Sequence, residues 1–94
     1  MKFQINIKIK IKEVNLDGAY IIEPNIHLDR RGAFSEIFQL NNFYSITGIK
    51  PSFIQFNQVK SSKNVLRGLH FQKKPFEQSK LINVSSGKIL DIIV

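Results

Sequence analysis

Cysteine is absent from this chain, which excludes a disulfide framework and any thiolate metal site. That absence points to the cytoplasm as its compartment. No apolar run is long enough to cross a membrane as a helix, so no membrane partner is expected. The opening, residues 1–8, alternates apolar with polar residues and lacks the unbroken apolar core of a signal peptide. Histidine is scarce: His27 and His70 are the only two. Acidic residues are outnumbered, 7 against 14 lysines and arginines, for a net charge of +7. A basic surface attracts nucleic acid, anionic lipid and anionic small molecules alike. Here, however, the excess is dispersed lysine. Lys8, Lys10 and Lys12 share one face of the first strand, the placement that guards an edge strand against sheet-to-sheet pairing. Phenylalanine dominates the aromatics and mostly alternates inward as core, so base stacking is not indicated and no nucleic-acid partner is expected.

What remains is enough for one small domain. The 94 residues, 43% of them hydrophobic, can build a core, but one whose stability margin is thin or shared with a partner. Residues 3–12 (FQINIKIKIK) place Phe3, Ile5, Ile7, Ile9 and Ile11 on one face, a half-buried strand whose apolar side needs cover from this domain or a second subunit. Asn15-Leu16-Asp17-Gly18 is a turn signal, and a short strand over 19–23 ends at Pro24. Residues 27–32 read as a polar loop, with His27 a surface residue in it, and strand character returns over 33–38. Residues 39–47 (QLNNFYSIT) form the one candidate helix, closed by Gly48 and stopped by Pro51. Strands are expected over 53–59, 65–71, 80–84 and 88–94, separated by Ser61-Ser62-Lys63-Asn64, by a loop containing Pro75, and by Ser85-Ser86-Gly87. About seven short strands divided by turns indicate an all-β antiparallel sandwich or barrel. There is no internal repeat or linker. The chain breaks off in an apolar strand, Asp91-Ile92-Ile93-Val94, so the sheet is expected to continue in residues beyond it.

The stretch from Gln55 to Lys80 concentrates the chemistry. Strand alternation there puts Leu66, Gly68, His70 and Gln72 on one face and Arg67, Leu69 and Phe71 on the other. A titratable imidazole in an otherwise apolar strand, with cations at Arg67 and Lys80, suits proton transfer. A lone strand histidine is more often structural, and either cation could be a solvated surface charge.

Three segments then carry a resemblance: Asp29-Arg30-Arg31-Gly32-Ala33-Phe34-Ser35-Glu36, Phe53-Ile54-Gln55-Phe56-Asn57, and Val65 to Gln72 with Lys80 following. In this order and spacing they resemble the N-terminal half of the dTDP-4-dehydrorhamnose 3,5-epimerase family, over roughly Ile9 to Val94. Residues 1–8 extend beyond the usual family start. The resemblance implies a cupin-type jelly-roll β-sandwich, here one partial domain over 1–94 that stops after its first half. It also implies a dTDP-sugar substrate, dTDP-4-dehydro-6-deoxy-glucose, whose ketone at carbon 4 acidifies the hydrogens on carbons 3 and 5. Inverting both carbons leads towards rhamnose and envelope polysaccharide.

By that resemblance His70 is the general base, with a free pKa of about 6.5 suited to the task. Lys80 would stabilise charge on the enolate oxygen. Arg67 would grip the diphosphate through paired hydrogen bonds. Gln55 and Asn57 match positions that contact the nucleotide, whose thymine edge side-chain amides can read. Phe56 between them alternates to the other face and reads as core. Arg31 and Glu36 match substrate contacts that reach into the neighbouring subunit's site, so a homodimer is expected, and Gly32 fits a tight turn. No cofactor is implied. Nor is a metal: where many cupins carry a His-x-His pair this chain has His70-Phe71-Gln72, and two distant histidines are too few for the usual ligand set.

The chain also departs from the family. The family's proton donor is a tyrosine in its second half, and neither Tyr20 nor Tyr44 matches it. The carboxylate that pairs with the base lies later still, and Asp91 does not match it. Gln58 stands where the family often carries histidine. The alternative function is a non-catalytic nucleotide-sugar-binding or dimerisation remnant of the same fold.

Overall fold

The alternating isoleucines and lysines of the N-terminal region end in a strand with an exposed polar edge. In the computed structural model, which describes residues 10–94, this is β1 (Lys10–Glu13). The rest of the expected first strand, with Lys8 and the apolar face from Phe3 to Ile9, lies outside the described residues. β1 pairs antiparallel with β2 (Tyr20–Glu23) in the register Ile11 opposite Ile22 and Lys12 opposite Ile21. Ile11 and Ile22 are half-buried, while Lys10 and Lys12 stay exposed. That is the alternation a one-sided sheet requires. Among the described residues the two-stranded sheet leaves one edge of β1 unpaired, where lysine hinders pairing with another chain. The expected turn forms between the strands: the Val14 N–H donates to the Ala19 carbonyl at 3.1 Å, and the Ala19 N–H to that of Leu16 at 3.1 Å.

Residues 27–32 are not the polar loop expected from their composition. Ile26–Asp29 is β3, and it pairs with β4, Gly32–Ser35, leaving only Arg30 and Arg31 as the connection. His27 is therefore a strand residue. It lies opposite Phe34 in the register, ring centroids 6.4 Å apart, and is exposed. Charged residues masked the hairpin because a two-stranded ribbon open to solvent on both sides needs no alternation of polarity. β4 ends at Ser35, short of the expected Phe38.

Helix α1 (Leu40–Thr47) occupies the one segment read as helical. Gln39 caps its start in extended geometry, its side-chain oxygen accepting from the Asn42 N–H at 2.6 Å, the service a shorter Asn or Ser side chain usually performs. Gly48 closes it in the left-handed region, φ 74°, with its N–H donating to the Tyr44 carbonyl at 2.8 Å. The Thr47 hydroxyl donates to the Phe43 carbonyl at 2.8 Å, satisfying another free acceptor of the last turn. A Cβ in the left-handed region costs about 1–2 kcal/mol. Gly48→Ala is therefore expected to lower the urea midpoint of α1 by a matching amount, read from helical circular dichroism. An unchanged midpoint would show that the cap contributes nothing.

Phe43 is the one buried hydrophobic residue among those described, 9% exposed. Tyr20 meets it edge-on, 5.6 Å between centroids at 82°, and Phe38 lies tilted at 5.5 Å. Each such aromatic pair adds about 0.5–1.5 kcal/mol beyond its buried area. Through Tyr20 the helix is held to the first hairpin.

The chain divides into two compact units, Met1–Lys50 with Asn83–Val94, and Pro51–Ile82. Both hairpins and the helix belong to the first. In it, residues 83–94 contribute a bend over 85–87 but no strand. The second unit has turns at 63–64 and 74–75 in otherwise extended chain, with the Phe76 N–H donating to the Lys73 carbonyl at 2.8 Å. The strands expected over 53–59, 65–71, 80–84 and 88–94 thus form no ladder. A strand exists by pairing, and no segment among the described residues pairs with these. Many of their apolar side chains are accordingly left in solvent, and Phe56, expected in the core, is 97% exposed. Regular structure is otherwise as the alternation requires: antiparallel strands with one short helix. No helix among the described residues is long and apolar enough to cross a membrane.

Candidate functional site

The two arginines singled out in the sequence meet different fates. Arg31 sits at the β3–β4 connection, where Asp29 engages it fully. The Arg31 N–H donates to Asp29 Oδ1 at 2.8 Å, and its guanidinium donates to Oδ2 through Nε at 3.1 Å and Nη2 at 2.6 Å. An aspartate bonding the backbone two residues on is a standard turn device, and it holds this arginine beside the turn. Asp29 was not singled out in the sequence, although its spacing to Arg31 is the signal that finds it.

The Arg31 guanidinium and N–H together hold the Asp29 carboxyl below its usual value. A depressed folded-state pKa contributes stability that is present above the ordinary carboxylate value, about 4, and is lost as pH falls through the folded value. The hairpin tip is therefore expected to loosen only in acid below that point. In an NMR titration of the Asp29 carboxyl carbon, Arg31→Ala should raise the midpoint. An unmoved midpoint would show that the ion pair does not persist in solution, the common fate of an exposed pair.

Glu36, just beyond β4, is half-buried, and its Oε1 is enclosed with no hydrogen-bond partner among the described residues, as is Ser35 Oγ. Buried polar atoms are ordinarily paired, so an enclosed, unpaired acceptor has capacity left for a donor. Arg31 and Glu36 both belong to the first unit.

The other candidates all fall in the second unit, Pro51–Ile82. The Gln55 side-chain amide donates to Asn57 Oδ1 at 3.2 Å, so these two residues lie on one side of the extended chain and orient each other. Arg67 Nε donates to Ser61 Oγ at 2.9 Å across the turn at 63–64, where Asn64 takes a left-handed φ of 66°. The sequence marked Ser61 only as part of a turn, because which side chains meet across a turn is not set by strand or helix period. His70 and Lys80 are exposed. The even alternation expected from Leu66 to Gln72 does not run through. Gly68 has φ 121°, a region that side chains with a Cβ rarely adopt, and no strand forms over 65–72. Among the described residues no group of three or more metal-ligating side chains stands close enough to hold an ion.

An exposed imidazole, two cations and a pair of mutually ordered amides in one unit suit an anionic, hydrogen-bonding ligand. The family model described as dTDP-4-dehydrorhamnose 3,5-epimerase matches residues 13–94. The chain belongs to that family. It is 40% identical over 86 residues to the dTDP-4-dehydrorhamnose 3,5-epimerase of Escherichia coli K12, covering 92% of this chain and 46% of the relative. It is 45% identical over 83 residues to the protein of the same name from Methanothermobacter thermautotrophicus, covering 87% of this chain and 43% of the relative. With the Salmonella typhimurium protein of that name the identity is 43% over 74 residues, 79% of this chain and 40% of the relative. The chain thus spans about half the length of the curated relatives it matches. No solved structure matches it. Arg67, His70 and Lys80 all fall within the matched region.

Proposed function

We propose that this chain carries the proton-abstracting and substrate-gripping part of an epimerase that inverts carbons 3 and 5 of dTDP-4-dehydro-6-deoxy-glucose. The observation that carries the reading is the family match, which runs unbroken through Arg67-Gly68-Leu69-His70-Phe71-Gln72 and Lys80. The electrostatics of the unit support it. Lys60, Lys63, Arg67, Lys73, Lys74 and Lys80 are accompanied by a single acid, Glu77, a field suited to a diphosphate.

In the mechanism, the C–H bond beside the C4 ketone breaks as neutral His70 takes the proton, and the electron pair moves onto the ketone oxygen. The Lys80 ammonium balances the charge that develops there. Arg67 holds the diphosphate with its guanidinium fork. Gln55 and Asn57 address the thymine edge with an acceptor and donors. Arg31 and Glu36 act in a neighbouring copy's site, which makes the working form a homodimer.

The test is deuterium exchange. The chain, incubated with dTDP-4-dehydro-6-deoxy-glucose in deuterium oxide, is expected to bring solvent deuterium into carbons 3 and 5, read by mass spectrometry. Binding of dTDP without exchange would instead identify a binding or dimerisation remnant.

A further inference from the structure

Arginine binds a diphosphate well only if its fork faces the ligand, and a long exposed side chain must otherwise be ordered at the moment of binding. Arg67 is already held at one point. Its Nε donates to Ser61 Oγ at 2.9 Å, while among the described residues its two terminal nitrogens have no partner. The partner's chemistry is informative when set beside Arg31. There a carboxylate takes Nε and one terminal nitrogen together, and so both occupies the fork and neutralises it. A hydroxyl accepts from Nε alone and cancels no charge. The turn at 63–64 brings the two residues together, so the contact is built into the backbone path of the loop.

We propose that Ser61 is a positioning residue that fixes the Arg67 guanidinium by its inner nitrogen and leaves the outer edge, with its full charge, for the diphosphate of the nucleotide. The inference rests on reading Arg67 as the diphosphate grip, and the two can be separated by experiment.

Dissociation constants for dTDP and for thymidine, which lacks the diphosphate, can be measured by NMR titration. The proteins are the parent chain, Ser61→Ala, Ser61→Thr, Arg67→Ala and the Ser61→Ala/Arg67→Ala pair. Both side chains are exposed, so these changes leave the fold intact, and the spectra themselves verify it. Ser61→Ala is expected to weaken dTDP binding by about three- to tenfold, the range for the net worth of one typical hydrogen bond. Thymidine binding should not change. Threonine, which keeps the hydroxyl, should restore the parent affinity for dTDP. In the Arg67→Ala background, removing Ser61 should add nothing, because its effect passes through the guanidinium.

Parent-like dTDP affinity in Ser61→Ala, beside a weakened Arg67→Ala, would overturn the positioning role and leave the diphosphate grip standing. So would an equal loss of thymidine and dTDP binding in Ser61→Ala, which marks a merely structural serine. An Arg67→Ala chain that binds dTDP as the parent does would overturn the grip and the positioning together. A parent chain that binds neither compound would overturn both along with the nucleotide-sugar reading.

Discussion

Replacing His70 with alanine is expected to slow deuterium incorporation at carbons 3 and 5 by about 100- to 10,000-fold, the range that a positioned general base supplies. The ketone makes those hydrogens acidic but does not remove them. Water at neutral pH is a far weaker base than an imidazole with a pKa of about 6.5. His70 is also the one histidine of the second unit, and His27 is committed to a hairpin strand of the first. No other imidazole of this chain matches the base position. Affinity for dTDP should survive, because the grip is assigned to Arg67, Gln55 and Asn57 and not to the base. His70→Asn keeps much of the shape and loses the basicity, so it should fail in the same way as alanine. Parallel measurement of exchange by mass spectrometry and of dTDP binding by titration separates the outcomes. Exchange that persists at the parent rate in both variants would remove His70 from the mechanism. Loss of binding together with exchange would make it a contact residue instead.

Phe43→Ala is expected to be the most damaging change to stability. Deleting a buried phenylalanine side chain costs about 3–5 kcal/mol through lost transfer energy and the cavity left behind. A whole small domain is held together by only about 5–15 kcal/mol. Here the loss falls on the one buried hydrophobic residue among those described, and it removes the edge-on contact with Tyr20 and the tilted contact with Phe38 together. Helix α1 spans eight residues, too short to persist in water without packing. The expected result is therefore loss of the α1 signals and a urea midpoint near zero, with Phe43→Leu retaining part of the transition. A Phe43→Ala chain whose helix melts at the parent midpoint would show that the aromatic cluster is not what holds the helix.

The legibility of the fold varied with how local its cause is. The helix was readable because its signals sit within its own segment: the Gly48 cap and the Pro51 stop lie just beyond residues 39–47. The first hairpin was readable from isoleucine alternation around a turn signal. The second was not, because Asp29, Arg30 and Arg31 look like loop composition although the residues on either side pair strand to strand. The strands expected between 53 and 94 rested on local alternation and turn signals alone. Pairing is not a local property, and apolar side chains such as Leu66 at 94% exposure show what happens where it is missing.

The candidate site divides in the same way. Residue types and spacing drew attention to Arg67, His70 and Lys80, whereas Arg31, Glu36, Gln55 and Asn57 were singled out only through the resemblance to the family. Which groups those residues touch was decided only in three dimensions. The structure gave Asp29 to Arg31 and Ser61 to Arg67, and the two choices leave one guanidinium neutralised and the other charged. It also enclosed Glu36 Oε1 with no donor among the described residues and set Gly68 at φ 121°. A sequence specifies charge, size and hydrogen-bonding capacity position by position. Hydrogen bonds and burial depend on distances of a few ångströms between atoms, and the backbone path alone sets those.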